Sequence, residues 1–131
     1  MKLKSQKTLR KDCLSLWSEI VKERDNFTCI ICNRKNIRLN SHHLISKKII
    51  KYKFDINNGI TLCANCHVFS PICSPHLAPW KFEEELKYKS PSQYEWWIKN
   101  RKNLKYPLGF KIDYVDMIRE LTDYKSKIRN F

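Results

Sequence analysis

Cysteines and histidines carry most of the chemistry open to this chain. Cys29-x-x-Cys32 and Cys63-x-x-Cys66 supply four thiols in two short pairs. A CxxC turn aims two sulfurs at one point, and Zn²⁺ prefers a tetrahedral set of soft ligands. The spacing therefore predicts a structural zinc on Cys29, Cys32, Cys63 and Cys66. A lone CxxC could be a redox dithiol, but two in one short chain favour the metal. Four sulfurs leave no open coordination position, so this ion is expected to hold structure and not to react. Cys13 reads as a small buried hydrophobe, and Cys73 has no assigned role.

Between the cysteine pairs stand Ser41-His42-His43-Leu44-Ile45 and Asn58, and His67 directly follows Cys66. Taken singly, each has an ordinary explanation. An adjacent His pair on a strand points to opposite faces, so one ring could be core and the other surface. His67 could merely support the zinc cysteine beside it. Together they are tethered to one metal-clamped scaffold, and that combination favours a reactive site.

The surroundings of these residues are basic. The chain has 131 residues, and 26 Lys+Arg against 13 Asp+Glu give a net charge of +13. Such a field attracts polyanions, of which nucleic acid is the commonest in a cell. No acidic residue lies between Asp25 and Asp55, while Arg34, Lys35, Arg38, Lys47, Lys48, Lys51 and Lys53 all do. These seven are the candidate nucleic-acid-binding residues. The N-terminal MKLKSQKTLRKD precedes no apolar run of signal-peptide length, and no stretch approaches a membrane span. A reducing cytoplasm is the expected setting, with no membrane partner.

Helices and a short ribbon must position the site. Leu9, Leu14, Trp17, Ile20 and Val21 recur at helical steps over about 8–26. A cysteine knuckle follows, then a strand over about 37–45 and a basic loop over 46–58. Gly59-Ile60-Thr61-Leu62 reads as a second strand, and a short helix from Cys63 or Ala64 carries His67 until Pro71 stops it. Helices are expected around Trp80–Tyr88, from Pro91, and over about 113–129. All four tryptophans read as core, with Trp96 the most exposed, and packing is the reading of Tyr52 and Phe54. The length suits one domain over 1–131, with a core at about 17–82 and a helical C-terminal extension over about 79–131.

The order Cys29-x-x-Cys32, His42-His43-Leu44-Ile45, then Asn58-Gly59-Ile60-Thr61-Leu62-Cys63-Ala64-Asn65-Cys66-His67 resembles the four-cysteine HNH endonucleases. The resemblance implies an α+β fold. Its core would be a ββα-metal unit with a four-cysteine zinc staple, flanked by an N-terminal helix and the helical extension. It implies hydrolysis of DNA phosphodiester bonds, with His43 as the general base that activates water. His42 and His67 match the ligands of a catalytic divalent metal. Asn58 matches the family asparagine, which orients the base or completes the metal's surroundings. Products with 5′-phosphate and 3′-hydroxyl ends would follow.

This chain also departs from the pattern. Some members place a further histidine one turn after the position of His67, where this chain has Pro71. Two protein ligands would then remain. His76 is near enough in sequence to reach the site, but nothing in the sequence holds it there. Mg²⁺ or Mn²⁺ suits a phosphate-rich site, whereas Ni²⁺ or Zn²⁺ suits imidazole. DNA is the implied partner. A homodimer, or a phage packaging or recombination partner, is compatible with small members of the family. The rival reading, from another class, is a non-catalytic zinc-stapled module that only binds nucleic acid.

Overall fold

The computed structural model describes residues 3–129. Helix α1 spans Gln6–Arg24, and its Ser5 cap accepts a hydrogen bond from the Thr8 amide at 3.2 Å. Cys13, Trp17, Ile20 and Val21 lie on one stripe of α1 and are all buried. Asn26 and Phe27 then adopt left-handed backbone, with φ of 54° and 50°, and turn the chain into the cysteine knuckle.

Strands β1 (Leu39–His43) and β2 (Gly59–Cys63) form one antiparallel ribbon in which His42 pairs with Ile60 and His43 with Gly59. Every residue of β2 is buried, because the strand is covered on both faces. Ile60 and Leu62 face a core with Cys29, Leu44, Phe82 and Leu86. The Gly59 and Thr61 face meets α1: the Thr61 hydroxyl donates to the Val21 carbonyl, and Asp25 accepts the Thr61 amide at 2.9 Å. The expected strand over 37–45 is thus shortened at both ends. At its far end Asn58 takes the place of a strand partner, accepting the Ile45 amide and donating to the Ile45 carbonyl.

Gly59 is required by close approach. A Cβ there would lie 2.5 Å from Val21 Cγ2 and 2.6 Å from Trp17 Cζ2, both buried side chains of α1. Gly59→Ala is expected to destabilise the protein by about 1–3 kcal/mol through overpacking. A fall in the midpoint of thermal unfolding would report it, and an unchanged midpoint would mean that α1 can move off the ribbon.

After β2, the expected short helix is a single π-helical turn, Asn65–Phe69, closed by the Ser70 amide on the Asn65 carbonyl at 2.7 Å. Helices α2 (Pro79–Lys89) and α3 (Pro91–Asn100) both begin at prolines, as expected for Pro91. Helix α4 (Tyr114–Arg129) lies along α1, where Leu121 joins Cys13, Trp17, Ile20, Val21 and Phe54 in a second core. Tyr52 and Phe54 are buried, in keeping with packing.

The reading of four core tryptophans needs correction. Trp17 is buried, Trp96 and Trp97 are half-buried, but Trp80 is 68% exposed. Phe82 and Leu86 form the buried stripe of α2, and Trp80, two residues before Phe82, lies about 200° around the helix from it. Among the described residues, no helix is long and apolar enough to cross a membrane.

Candidate functional site

The four cysteine sulfurs lie within 4.8 Å of one another. Cys32 and Cys63 Sγ are 3.7 Å apart. Zinc–sulfur bonds of about 2.3 Å place tetrahedral sulfurs about 3.8 Å apart, so this donor set fits the ion. Burial, then the neighbouring Cys29, pushes the Cys66 thiol far up. Burial raises the Cys32 thiol as well. At Cys63 burial also opposes ionisation, but hydrogen bonds from the Cys66 amide and the other thiols outweigh it and hold that thiol low. Four crowded thiols that resist joint ionisation are the surroundings in which a divalent cation is most strongly favoured.

The pleat separates the two adjacent histidines. His43 shares a ribbon face with Gly59, and the space left by the missing side chain admits Trp17. The Trp17 and His43 rings stack, with centroids 4.0 Å apart and planes 10° from parallel. Trp17 is itself held by a 2.8 Å hydrogen bond from its Nε1 to the Asp55 carbonyl. His43 Nε2 lies 2.9 Å from the Lys53 carbonyl oxygen. A carbonyl only accepts, so Nε2 carries the hydrogen and Nδ1 of the neutral ring keeps a free lone pair. Burial lowers the His43 pKa, the Lys47 and Lys53 charges add to that, and the carbonyl bond opposes it.

His42 faces the other way, edge-on to Phe82. Its Nδ1 lies 3.1 Å from His67 Nε2, and that same His67 nitrogen lies 3.2 Å from His76 Nε2. The three rings offer nitrogens within 4.8 Å of one another, with no carboxylate in the cluster. One imidazole nitrogen has one in-plane hydrogen or lone pair and cannot satisfy two such neighbours at once. Three converging nitrogens fit a cation between them. Burial, then the nearby His67 and His76, pushes His42 down to about 3, so its lone pair is available for a metal. His67 is lowered by burial and then by His76.

His76 is therefore brought to the pair that the sequence singles out. Ser74 positions it: this buried hydroxyl donates to the His67 carbonyl at 2.8 Å and accepts the His76 amide at 3.1 Å. Sequence reasoning passes over Ser74, and the only local signal for it is a serine two residues before a histidine, which suits a side-chain turn.

Asn58 is fully buried and touches neither histidine group directly. Its amide donates to the Ile45 and Tyr52 carbonyls at 2.9 and 3.1 Å and accepts the Ile45 amide at 2.6 Å. These bonds brace the loop that brings the Lys53 carbonyl to His43. The sequence marks Trp17 only as a core residue, yet it carries the His43 ring.

A cavity of about 300 Å³ is lined by Ser41, His42, His43, Lys47, His67 and His76. An adjoining groove adds Trp17, Ser18 and Lys22 of α1. Of the seven candidate cations, Lys47 lines both. Lys48 is exposed, and Lys51 and Lys53 hold their ammonium groups over the rings of Tyr52 and Phe54 at 5.1 and 5.3 Å. Arg34, Lys35 and Arg38 are exposed in the segment between knuckle and ribbon, and Lys35 lines a separate cavity with Asp25 and Cys29.

Residues 29–68 match the family model described as HNH endonuclease. That segment is similar to the HNH endonucleases. The matched segment contains all four zinc-type cysteines, His42, His43, Asn58 and His67, and it stops short of His76. Mixed helices around a two-stranded ribbon, with a cysteine cluster fit for metal, are the expected architecture. An HNH domain implies nuclease-type activity that uses metal. No curated protein and no solved structure matches the chain.

Proposed function

We propose that this chain is a metal-dependent endonuclease that hydrolyses phosphodiester bonds of DNA. The observation that carries the reading is the shared cavity, where His43, with Nδ1 free and Nε2 locked, stands beside three converging imidazoles. His43 Nδ1 accepts a proton from water as the water oxygen bonds to phosphorus. The bond from phosphorus to the 3′ oxygen breaks, a solvent proton completes the 3′ hydroxyl, and a 5′ phosphate results.

Lys47 draws the phosphate into the cavity, and Trp17 keeps the His43 ring from turning away. A divalent ion on His42, His67 and His76 would polarise the phosphate and offset the charge gathering on it and on the leaving oxygen. Asn58 acts as a positioning residue through the loop backbone. Lys48 and the exposed cations Arg34, Lys35 and Arg38 add salt-sensitive, sequence-independent attraction to the backbone.

Supercoiled plasmid incubated with Mg²⁺, Mn²⁺, Ni²⁺ or Zn²⁺ tests the reading. Conversion to nicked or linear DNA only with added metal is the expected result. No conversion with any ion, together with a salt-sensitive gel shift, would favour the non-catalytic binding module instead.

His76 adds a separate expectation. Three nitrogen donors and no carboxylate suit Ni²⁺ or Zn²⁺ better than Mg²⁺. His76→Ala should weaken Ni²⁺ binding at this site by at least about tenfold in calorimetry, since one of three ligands is lost. The cysteine-bound zinc should be unaffected. Unchanged Ni²⁺ affinity would remove His76 from the ligand set.

A further inference from the structure

Helix α1 does more than carry the Trp17 ring. Arg10, Leu14, Ser18 and Lys22 stand four residues apart and form one ridge of the helix. Leu14, Ser18 and Lys22 line one wall of the groove that adjoins the histidine cavity. Ser41, His43 and Lys47 line groove and cavity alike, so the two are continuous. The wall is fastened at its middle. The Ser18 hydroxyl donates to the Ser41 hydroxyl at 2.8 Å, and the Ser41 hydroxyl donates to the Ser18 carbonyl at 3.0 Å.

The charges along this ridge are uncompensated. Burial, then the Arg10 and Lys47 charges, lowers the Lys53 pKa, so these three cations are gathered at the Arg10 end. Lys47 and Lys53 also act on His43, which puts the group beside the reactive ring. At the other end Lys22 is half-buried in the groove wall. Of the acidic residues near them on or beside α1, Asp12 is paired with Lys4 at 2.9 Å. Asp25 is paired with Arg24 at 3.0 Å, and Glu19 with Lys125 of α4 at 2.7 Å. None of these, nor Glu23, lines the groove or the cavity. Among the described residues neither Arg10 nor Lys22 is in an ion pair. A cleft walled by one sign of charge concentrates its field on an anion.

Twelve residues separate Arg10 from Lys22, about 18 Å along the helix axis. Trp17 lies between them, and His43 stacks on it. On the nuclease reading, we infer that the α1 ridge is a backbone rail for the DNA strand being cut. Arg10, with Lys53, binds a phosphate on one side of the scissile group, and Lys22 binds one on the other. Both residues lie outside the acid-free stretch between Asp25 and Asp55 that the sequence singles out. Phosphate contacts fix register and orientation without reading bases, so the rail aligns the strand at His43 and adds no sequence preference.

Gel-shift titrations without added divalent ion, over a series of salt concentrations, test the rail apart from cutting. One fluorescein-labelled blunt duplex serves for all variants. Arg10→Ala and Lys22→Ala should each reduce the slope of log binding constant against log salt by about 1, and the double variant by about 2. Lys22→Arg should keep the wild-type slope. Lys105→Ala removes one exposed charge from the connector between α3 and α4 and should also leave the slope unchanged. A wild-type slope in the double variant would overturn the inference. So would an equal loss in Lys105→Ala, since net charge alone would then explain the effect. Alanine suits a helix, so the unfolding midpoint should hold. If Lys22→Ala lowers it, Lys22→Gln keeps most of the stem packed and carries the same expectation. Plasmid cutting keeps the two readings separable. Reduced slopes without metal-dependent cutting would sink the nuclease and keep the rail, and cutting with unchanged slopes would do the reverse.

Discussion

His43→Ala is expected to slow metal-dependent DNA cleavage by about 10²–10⁴-fold while the protein stays folded and still binds DNA. The size follows from the loss of a positioned general base. Nε2 of His43 is committed to the Lys53 carbonyl, so Nδ1 is the one nitrogen left to take a proton, and alanine removes it. Folding should survive because the ring's main partner is the Trp17 face, and losing such a stack costs about 0.5–1.5 kcal/mol. The Trp17 ring also keeps its hydrogen bond to the Asp55 carbonyl. Plasmid cleavage rates, gel-shift affinity and the unfolding midpoint would be measured on the same preparation. Wild-type cutting by the variant would take the role of base away from His43. Loss of cutting together with loss of fold would show His43 to be structural, and His43→Gln, which retains a polar side chain of similar reach, would then separate the two roles.

Stripping a zinc ion from the four cysteines is expected to unfold the segment that they would clamp. Binding of a structural zinc contributes apparent stabilisation on the order of 10–16 kcal/mol in small zinc domains, comparable to or larger than the whole stability of a typical domain. Here the ion would join the knuckle at Cys29 and Cys32 to the end of β2 at Cys63 and to the π-helical turn at Cys66, closing the loop that contains His42, His43 and Asn58. Cys29, Cys63 and Cys66 lie in the core with Ile60, Leu62 and Phe82, where bare thiolates would be poorly solvated. Cys66→Ala should therefore give a chain with less than one zinc per molecule by elemental analysis and no cooperative thermal transition. Cys32 is the exposed member of the four, so thiol reagents should attack there first and release the ion. Retention of a sharp transition in a zinc-free protein would show that the packed core is sufficient alone. Ready titration of all four thiols in the native protein would instead favour a redox dithiol pair.

Much of this architecture is legible without coordinates because its signals are local. A CxxC turn fixes the direction of two sulfurs through backbone geometry alone, and the two pairs do converge. The period of two on a strand separates His42 from His43, and in the fold one meets Phe82 and His67 while the other meets Trp17. Helical spacing marks Trp17, Ile20 and Val21 as one buried stripe, and Pro91 does open a helix. The same spacing misleads at Trp80, because hydrophobic character alone does not say which stripe of α2 meets the core.

Tertiary structure decided what the aperiodic segments do. The loops over 46–58 and 70–78 have no repeating pattern, so no residue spacing could place the Lys53 carbonyl on His43 or His76 beside His67. Both placements depend on single buried polar groups, Asn58 and Ser74, whose hydrogen bonds run to backbone atoms up to thirteen residues away. Burial then set the protonation of the imidazoles, which identity and order do not reveal. The sequence by itself determined which groups could do chemistry and which scaffold carries them. Only packing decided which nitrogen is free and which third histidine joins the cluster, because each of those is a contact between segments that share no local geometry.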